Sequence, residues 1–175
     1  MAVADELVEV VDEHGNVLRV VTRAQMRAKK LRHRCTYIGV IDTVGERLLI
    51  HQRAATKEVY PSYWDVCAGG VCTVGESWEE SARRELAEEL GIDAPIEHLG
   101  SGTWEEPGGG ASLVGHVYLA RSDGPFTFTD AEVVAARFVT PAELNRALAT
   151  DPFCPDSVEL ALPLILQEIS GHPRP

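Results

Sequence analysis

Three glutamates, at positions 85, 88 and 89, constrain this chain more than any other feature. The stretch from Ser77 to Gly91 reads as a helix. Ser77 can cap its start, Glu79 and Glu80 fall in the first turn, and Gly91 follows the last apolar residue. On a helix, the i, i+3, i+4 spacing puts Glu85, Glu88 and Glu89 on one face within a turn. Like charges so placed cost a helix about 0.2–0.5 kcal/mol per pair. A hard divalent cation reverses that penalty, because Mg²⁺ takes oxygen ligands and is held by carboxylates together with phosphate oxygens. Glu76, at or before the helix start, can fold back toward the same place. Gly69 and Gly70 would let backbone pass close to a phosphate or a metal.

The rest of the chain alternates strand and helix patterns, with no internal repeat and no low-complexity segment. Leu7–Val21 reads as a hairpin about the turn formers Asp12 to Asn16, and Thr22 can cap a short helix through about Leu31. Cys35–Asp42 and Arg47–His51 read as strands about a Val44-Gly45-Glu46 turn. Arg53–Trp64 reads as a loop broken by Pro61, and Trp64–Val71 as one short extended stretch. Pro95–Trp104 and Leu113–Arg121 are strands joined through a Pro107–Gly110 turn, which we expect to form a mobile rim. Ala136–Val139 is a short strand. Helices follow from Pro141 to about Ala149 and over Ser157–Ile169, where Pro163 is expected to kink the helix or delay its start. This interleaving predicts an α/β domain with helices covering the sheet, and leaves the strand order open.

Length and composition narrow the field. The 175 residues fit one domain with its own core, and no apolar run approaches the roughly 20 residues that span a bilayer. The start, Met1 to Val10, is acidic where a signal peptide is basic and then apolar, so the sequence predicts a cytoplasmic protein. Cys35, Cys67, Cys72 and Cys154 form no C-x-x-C pair and read as small buried side chains. A net charge of −11 argues against broad binding to nucleic acid or to an anionic membrane. A polyanionic substrate would be repelled too, unless metal ions or a local basic patch overrode the field.

An acidic helix face is usually only solvated. Here the whole segment satisfies G-x5-E-x7-R-E-U-x-E-E-x-G-U, with U aliphatic, at Gly70, Glu76, Arg84, Glu85, Leu86, Glu88, Glu89, Gly91 and Ile92. At average residue usage that match has odds on the order of one in a billion per starting point. The chain closely resembles the Nudix hydrolases, whose signature this is. The resemblance implies an α/β/α sandwich with a mixed β-sheet, here preceded by a hairpin-and-helix extension over about residues 1–31, with the box at 70–92. It implies Mg²⁺-dependent hydrolysis of a nucleoside diphosphate linked to another group X, with Mn²⁺ able to substitute. On the matching positions, Glu85, Glu88 and Glu89 would bind the metal, Glu76 and the Gly70 carbonyl would support it, and Arg84 would hold the glutamates by a salt bridge. Family members often add a carboxylate six residues before a strand aromatic; Glu132, six before Phe138, is the candidate. Either Glu85 or Glu132 could be the general base.

A narrower resemblance covers Leu7 to Ile92. His33-Arg34, Arg53-Ala54-Ala55-Thr56-Lys57, Pro61 and Trp64 are similar to the isopentenyl-diphosphate isomerase branch of the family. By that resemblance Arg53 and Lys57 would grip a substrate diphosphate, with Gly69 beside it; an Arg fork and a Lys point charge both suit phosphate oxygens. The isomerase needs a cysteine and a metal-binding histidine where this chain has Gly69 and Val71, and Cys67 falls two residues early. Its later glutamates also lack counterparts in Ser112–Leu119, so the isomerase chemistry is not expected. His33 then reads as a structural or substrate-loop histidine rather than a metal ligand, and His116, mid-strand, as a packed or sheet-facing one. A non-catalytic nucleotide sensor is a third reading, which the intact box disfavours. The partner is a small nucleotide or diphosphate, with no nucleic acid and no membrane; a homodimer stays open. Recognition of X would fall to the loops Ser101–Ala111 and Asp123–Glu132. Tyr60, Tyr63 and Trp104 could stack on a base, although such aromatics more often pack.

Overall fold

Strand β3 (His33–Ile41) organises the molecule: all nine of its residues are buried. The computed structural model describes residues 5–128 and 131–169. Around β3 lie β1 (Leu7–Val11), β2 (Val17–Thr22), β4 (Leu48–Arg53), β5 (Trp64–Asp65) and β6 (Ala68–Val71). Then come β7 (Ile96–Glu105), β8 (Ser112–Arg121) and β9 (Val133–Val139). One edge of β3 runs parallel to β8 over its full length, from His33 opposite Leu113 to Ile41 opposite Arg121. Three antiparallel partners share the other edge. They are β1 at His33, β6 from Cys35 to Ile38, and β4 at Ile41. Because β6 occupies only the middle of that edge, the chain leaves the sheet beside its centre and passes through a short loop, 72–77, into the glutamate-bearing helix.

The helices are α1 (Arg23–Ala28), α2 (Trp78–Leu90), α3 (Pro141–Thr150) and α4 (Leu162–Ile169). Alternation along β3 divides the core between two faces. Ile38 and Val40 pack with Ala82, Leu86 and Leu90 of α2 on one face. Tyr37 and Ile41 pack with Val117, Leu162 and Ile165 on the other. The result is the mixed, helix-covered α/β/α sandwich that the resemblance implies. Three helix starts carry reciprocal capping boxes, Thr22 with Gln25, Ser77 with Glu80 and Thr140 with Glu143. Gly91 ends α2 in the left-handed region at φ 67°.

Several expected boundaries shift for identifiable reasons. The first helix stops at Ala28, three residues early, where Lys30 turns left-handed at φ 52°. Trp64–Val71 is two strands, because Asp65 accepts the Cys67 N–H at 3.1 Å and turns the chain from β4 toward β3. Strand β9 begins three residues earlier than expected, at Val133, through its pairing with Arg53. The last helix opens with a π turn, Ser157–Ala161, before α4. Pro163 follows that wider turn, so its ring escapes the clash a regular helix would impose. At the base of the Pro107–Gly110 turn, Glu106 and Ala111 pair through backbone at 2.8 Å, and Glu106 accepts from Tyr60 Oη at 2.9 Å. Among the described residues no helix is long and apolar enough to cross a membrane.

The glycine pair in β6 holds sheet and helix together. Gly69 has φ +150°, and a Cβ there would fall 2.0 Å from the Thr36 carbonyl oxygen of β3. A Cβ on Gly70 would meet the Glu85 carboxylate first, at 2.7 Å. Gly69→Ala should therefore cost about 2–5 kcal/mol of folding stability, since rigid backbone must move. Gly70→Ala should cost clearly less, because the end of a side chain can rotate away. Denaturant melts of the two variants check this; equal losses would contradict it.

Candidate active site

Arg84 collects the acidic residues of the box. Its Nε and Nη2 donate to the two oxygens of Glu76 at 2.7 and 3.0 Å, and its Nη1 donates to Glu85 at 2.8 Å and to Glu88 at 3.0 Å. Burial pushes the Glu85 carboxyl up, opposed by Arg84. The hydrogen bonds from Arg84 pull Glu76 down, and those to Glu76 raise Arg84 itself. Glu76 does fold back, accepting the Thr73 N–H at 2.9 Å. The N-terminal extension braces this loop, since Glu9 accepts from Gly75 N at 3.2 Å and from Arg34 at 2.7 Å.

Glu89 lies behind the cluster, 3% exposed. It accepts the Gly69 N–H at 3.0 Å, so that amide, expected beside substrate, is engaged by the helix instead. Lys57 Nζ stands 3.9 Å from Glu89 and is hydrogen-bonded to Glu132, so the structure brings both loop residues to the box. Arg53 sits apart, 3.8 Å from Asp65, with its Nη2 donating to the Val59 carbonyl at 3.1 Å. Among the described residues no three His, Cys, Asp or Glu side chains are grouped tightly enough to hold an ion. The box carboxylates are instead partnered by Arg84, Lys57 and the Gly69 amide.

These groups open onto one cavity of about 1320 Å³. Arg84, Glu85, Glu88, Gly69 and Gly70 line it, with Arg53, Lys57 and Glu132. Glu76 and Glu89 are not part of its wall. Sequence reasoning missed further lining residues: Arg23, Arg27 and Lys30 near α1, and Tyr37, Asp65 and Asp156. The three α1 cations at four- and three-residue spacing were a signal available in the sequence; the acids, far apart in the chain, carried none. Of the aromatics, Tyr60 and Trp104 both line the cavity; Tyr60 stacks on Tyr63, and Trp104 is largely buried with its Nε1 donating to Glu159 at 2.8 Å. His116 stacks on Trp78 at 3.9 Å, and His33, buried with Nδ1 3.0 Å from the Leu31 carbonyl, also lines the cavity. Within the 123–132 loop, Thr129 and Asp130 lie outside the described residues.

A carboxylate-bearing helix, clamped by its own arginine and facing a cavity lined with cations, is an arrangement suited to handling phosphate. The model of the NUDIX domain matches residues 31–158. A Nudix hydrolase of Pseudomonas aeruginosa, PA4841, is 40% identical over 155 residues, covering 88% of this chain and 90% of that one. The Nudix hydrolase YfcD of Escherichia coli is 39% identical, covering 88% and 83%. Among solved structures, DR0079 of Deinococcus radiodurans superposes with a TM-score of 0.75 at 26% identity, covering 93% and 99%. The NUDIX domain of Shewanella oneidensis NrtR, solved with ADP ribose, gives 0.59 at 21% identity, covering 84% and 96%. The chain belongs to the Nudix family of hydrolases and is a pyrophosphohydrolase.

Burial, and next the charge of Glu85, raise the Glu89 carboxyl from 4.5 to about 8, against the pull of Lys57 and the Gly69 N–H. Between those values the folded protein keeps a proton that the unfolded chain has lost. Its stabilising share is therefore complete below 4.5 and is lost as pH rises through about 8. In the presence of a chelator, thermal melts should show the wild type falling relative to Glu89→Gln across that window. A pH-independent difference would contradict the assignment.

Proposed function

We propose that this protein hydrolyses the pyrophosphate bond of a nucleoside diphosphate linked to a second group, NDP-X, with Mg²⁺ as its metal and Mn²⁺ as a substitute. The observation that carries the reading is the Arg84 clamp. Glu85 and Glu88 are held side by side at the wall of a cavity, in a chain of net charge −11, with Glu89 buried at their backs. The donor set fits a hard divalent ion: oxygen ligands only, two carboxylates, Glu85 and Glu89, raised by burial, and a glycine that leaves Glu85 room. Glu85, Glu88 and Glu89 would hold the ion, with Glu76 and the Gly70 carbonyl in support. When bound, it supplies charge neutralisation on the phosphates and acidifies a coordinated water.

The chain's own residues perform the rest. Lys57 and Arg53 meet phosphate oxygens from the cavity wall and offset the negative field. Arg84 keeps Glu76, Glu85 and Glu88 oriented while the substrate's charge enters. Water attacks one phosphorus, its proton passes to Glu85 or Glu132, and the bridging P–O bond breaks. The products are a nucleoside monophosphate and the phosphate ester of X. An isomerase is disfavoured by this structure as well as by Gly69 and Val71, because Cys67 is 4% exposed and burial holds its thiol well above the ordinary value.

Incubation with ADP-ribose, UDP-glucose and isopentenyl diphosphate, with Mg²⁺ or with chelator, tests the reading. Metal-dependent release of a nucleoside monophosphate is expected from at least one NDP-X, and Glu88→Gln should lower its rate at least about a hundredfold. Turnover that persists in chelator, an unaffected Glu88→Gln, or double-bond migration in isopentenyl diphosphate would each sink it.

A further inference from the structure

A second group of cations lines the cavity, contributed by the N-terminal extension. Arg23 and Arg27 stand four residues apart on α1, and Lys30 follows just beyond its end; all three reach the wall near Arg53. These three precede the stretch that the NUDIX domain model matches, which begins at residue 31. Like charges one helical turn apart repel, and burial adds to the cost. Arg27 feels both: burial first, then the charges of Arg23 and Arg53, hold it below the ordinary arginine range. The Arg23 and Arg27 side chains keep 20% and 32% of their surface open, so a ligand in the cavity can reach them.

Internal acids neutralise this group only in part. Glu6 accepts from Arg23 at 2.6 Å, and Asp65 stands 3.8 Å from Arg53. Glu58 pairs with Arg27 but is 70% exposed, so water screens that pair and competes for the carboxylate. Among the described residues no carboxylate pairs with Lys30. Glu105 and Glu106, which line a rim cleft with it, are engaged by Arg32 and by the Tyr60 hydroxyl.

Position sets the group apart from the diphosphate end. Lys57 meets Glu89 and Glu132, whereas the charge of Arg23 reaches Glu85 from the α1 side. At about 1320 Å³ the cavity exceeds the roughly 300–1,000 Å³ of ordinary small-molecule sites, which leaves room for a ligand extending from the box to α1. One loop spans the same two ends: Lys57 turns to the box, and the next residue, Glu58, occupies Arg27.

We propose that Arg27, with Arg23 and Lys30, forms a second anion site that takes a further phosphate carried by the X group, displacing Glu58. Guanidinium forks and an ammonium both suit phosphate oxygens. This rests on the proposed NDP-X reading and adds the charge of X to it.

Calorimetry in Mg²⁺ with alkanediol bisphosphates of three, five and eight carbons, each against the monophosphate of equal length, tests the proposal without turnover. One phosphate stands in for the product phosphate at the box, and the other probes α1. At least one bisphosphate should bind about tenfold or more tightly than its monophosphate. In Arg27→Gln that ratio should fall to about twofold, the statistical advantage of two equivalent ends. Glu58→Gln removes the internal competitor and should raise the affinity of that bisphosphate about threefold while leaving its monophosphate unchanged. Misfolding cannot produce such a gain. Ratios near twofold at every length in the wild type, a ratio that survives Arg27→Gln, or a bisphosphate affinity that Glu58→Gln leaves unchanged overturns this proposal alone. Failure of all six esters to bind overturns the NDP-X reading and this proposal with it.

Discussion

One guanidinium makes the rest of this structure possible. A helix that sets Glu85, Glu88 and Glu89 on one face opposes itself electrostatically, more so in a chain with 27 acidic and 16 basic residues. Arg84 answers by distributing its donors over Glu76, Glu85 and Glu88. Lys57 does the same from the opposite wall for Glu89 and Glu132. The acidic cluster is thus prepaid with positive charge that an ion can displace. Replacing Arg84 with lysine would not be conservative, because a single ammonium cannot present the planar fork that spans both sides of the cluster.

The sheet supplies the second constraint. A strand whose one edge is shared among β1, β6 and β4 creates a gap at the centre of the fold, and β6 fills it with two glycines. Gly69 lets the Thr36 carbonyl close in, and Gly70 lets Glu85 lie against backbone. The N-terminal hairpin then braces the loop between β6 and α2 through Glu9, which ties an element outside the matched domain region to the box it supports. Packing, charge and catalysis meet within a few residues of one strand end.

The box and the secondary elements were legible in the sequence because they are local. Ser77, Gly91 and the glutamate spacing lie within one continuous stretch, and capping residues act over three or four positions. What stayed hidden is what long-range pairing decides. The split of Trp64–Val71 depends on β4 and β3 competing for the same segment, and the early start of β9 depends on Arg53. The π turn before Pro163 and the hydrogen-bonded Glu106–Ala111 rim were likewise invisible to pattern. Asp156, Asp65 and Tyr37 come from three distant segments, so no spacing announces them; only the fold brings them to one cavity. Glu132, in contrast, was reachable through its offset from Phe138, and the fold sets it against Lys57.

The central claim is that the clamped carboxylates are a divalent-cation site. Mn²⁺ titration followed by electron paramagnetic resonance, with a non-hydrolysable nucleoside diphosphate present, addresses it without relying on turnover. Loss of the free-ion signal at stoichiometric Mn²⁺ is expected in the wild type, and its return in Glu85→Gln. Free-ion signal that rises from the first addition of Mn²⁺, or uptake that Glu85→Gln leaves untouched, would contradict the account.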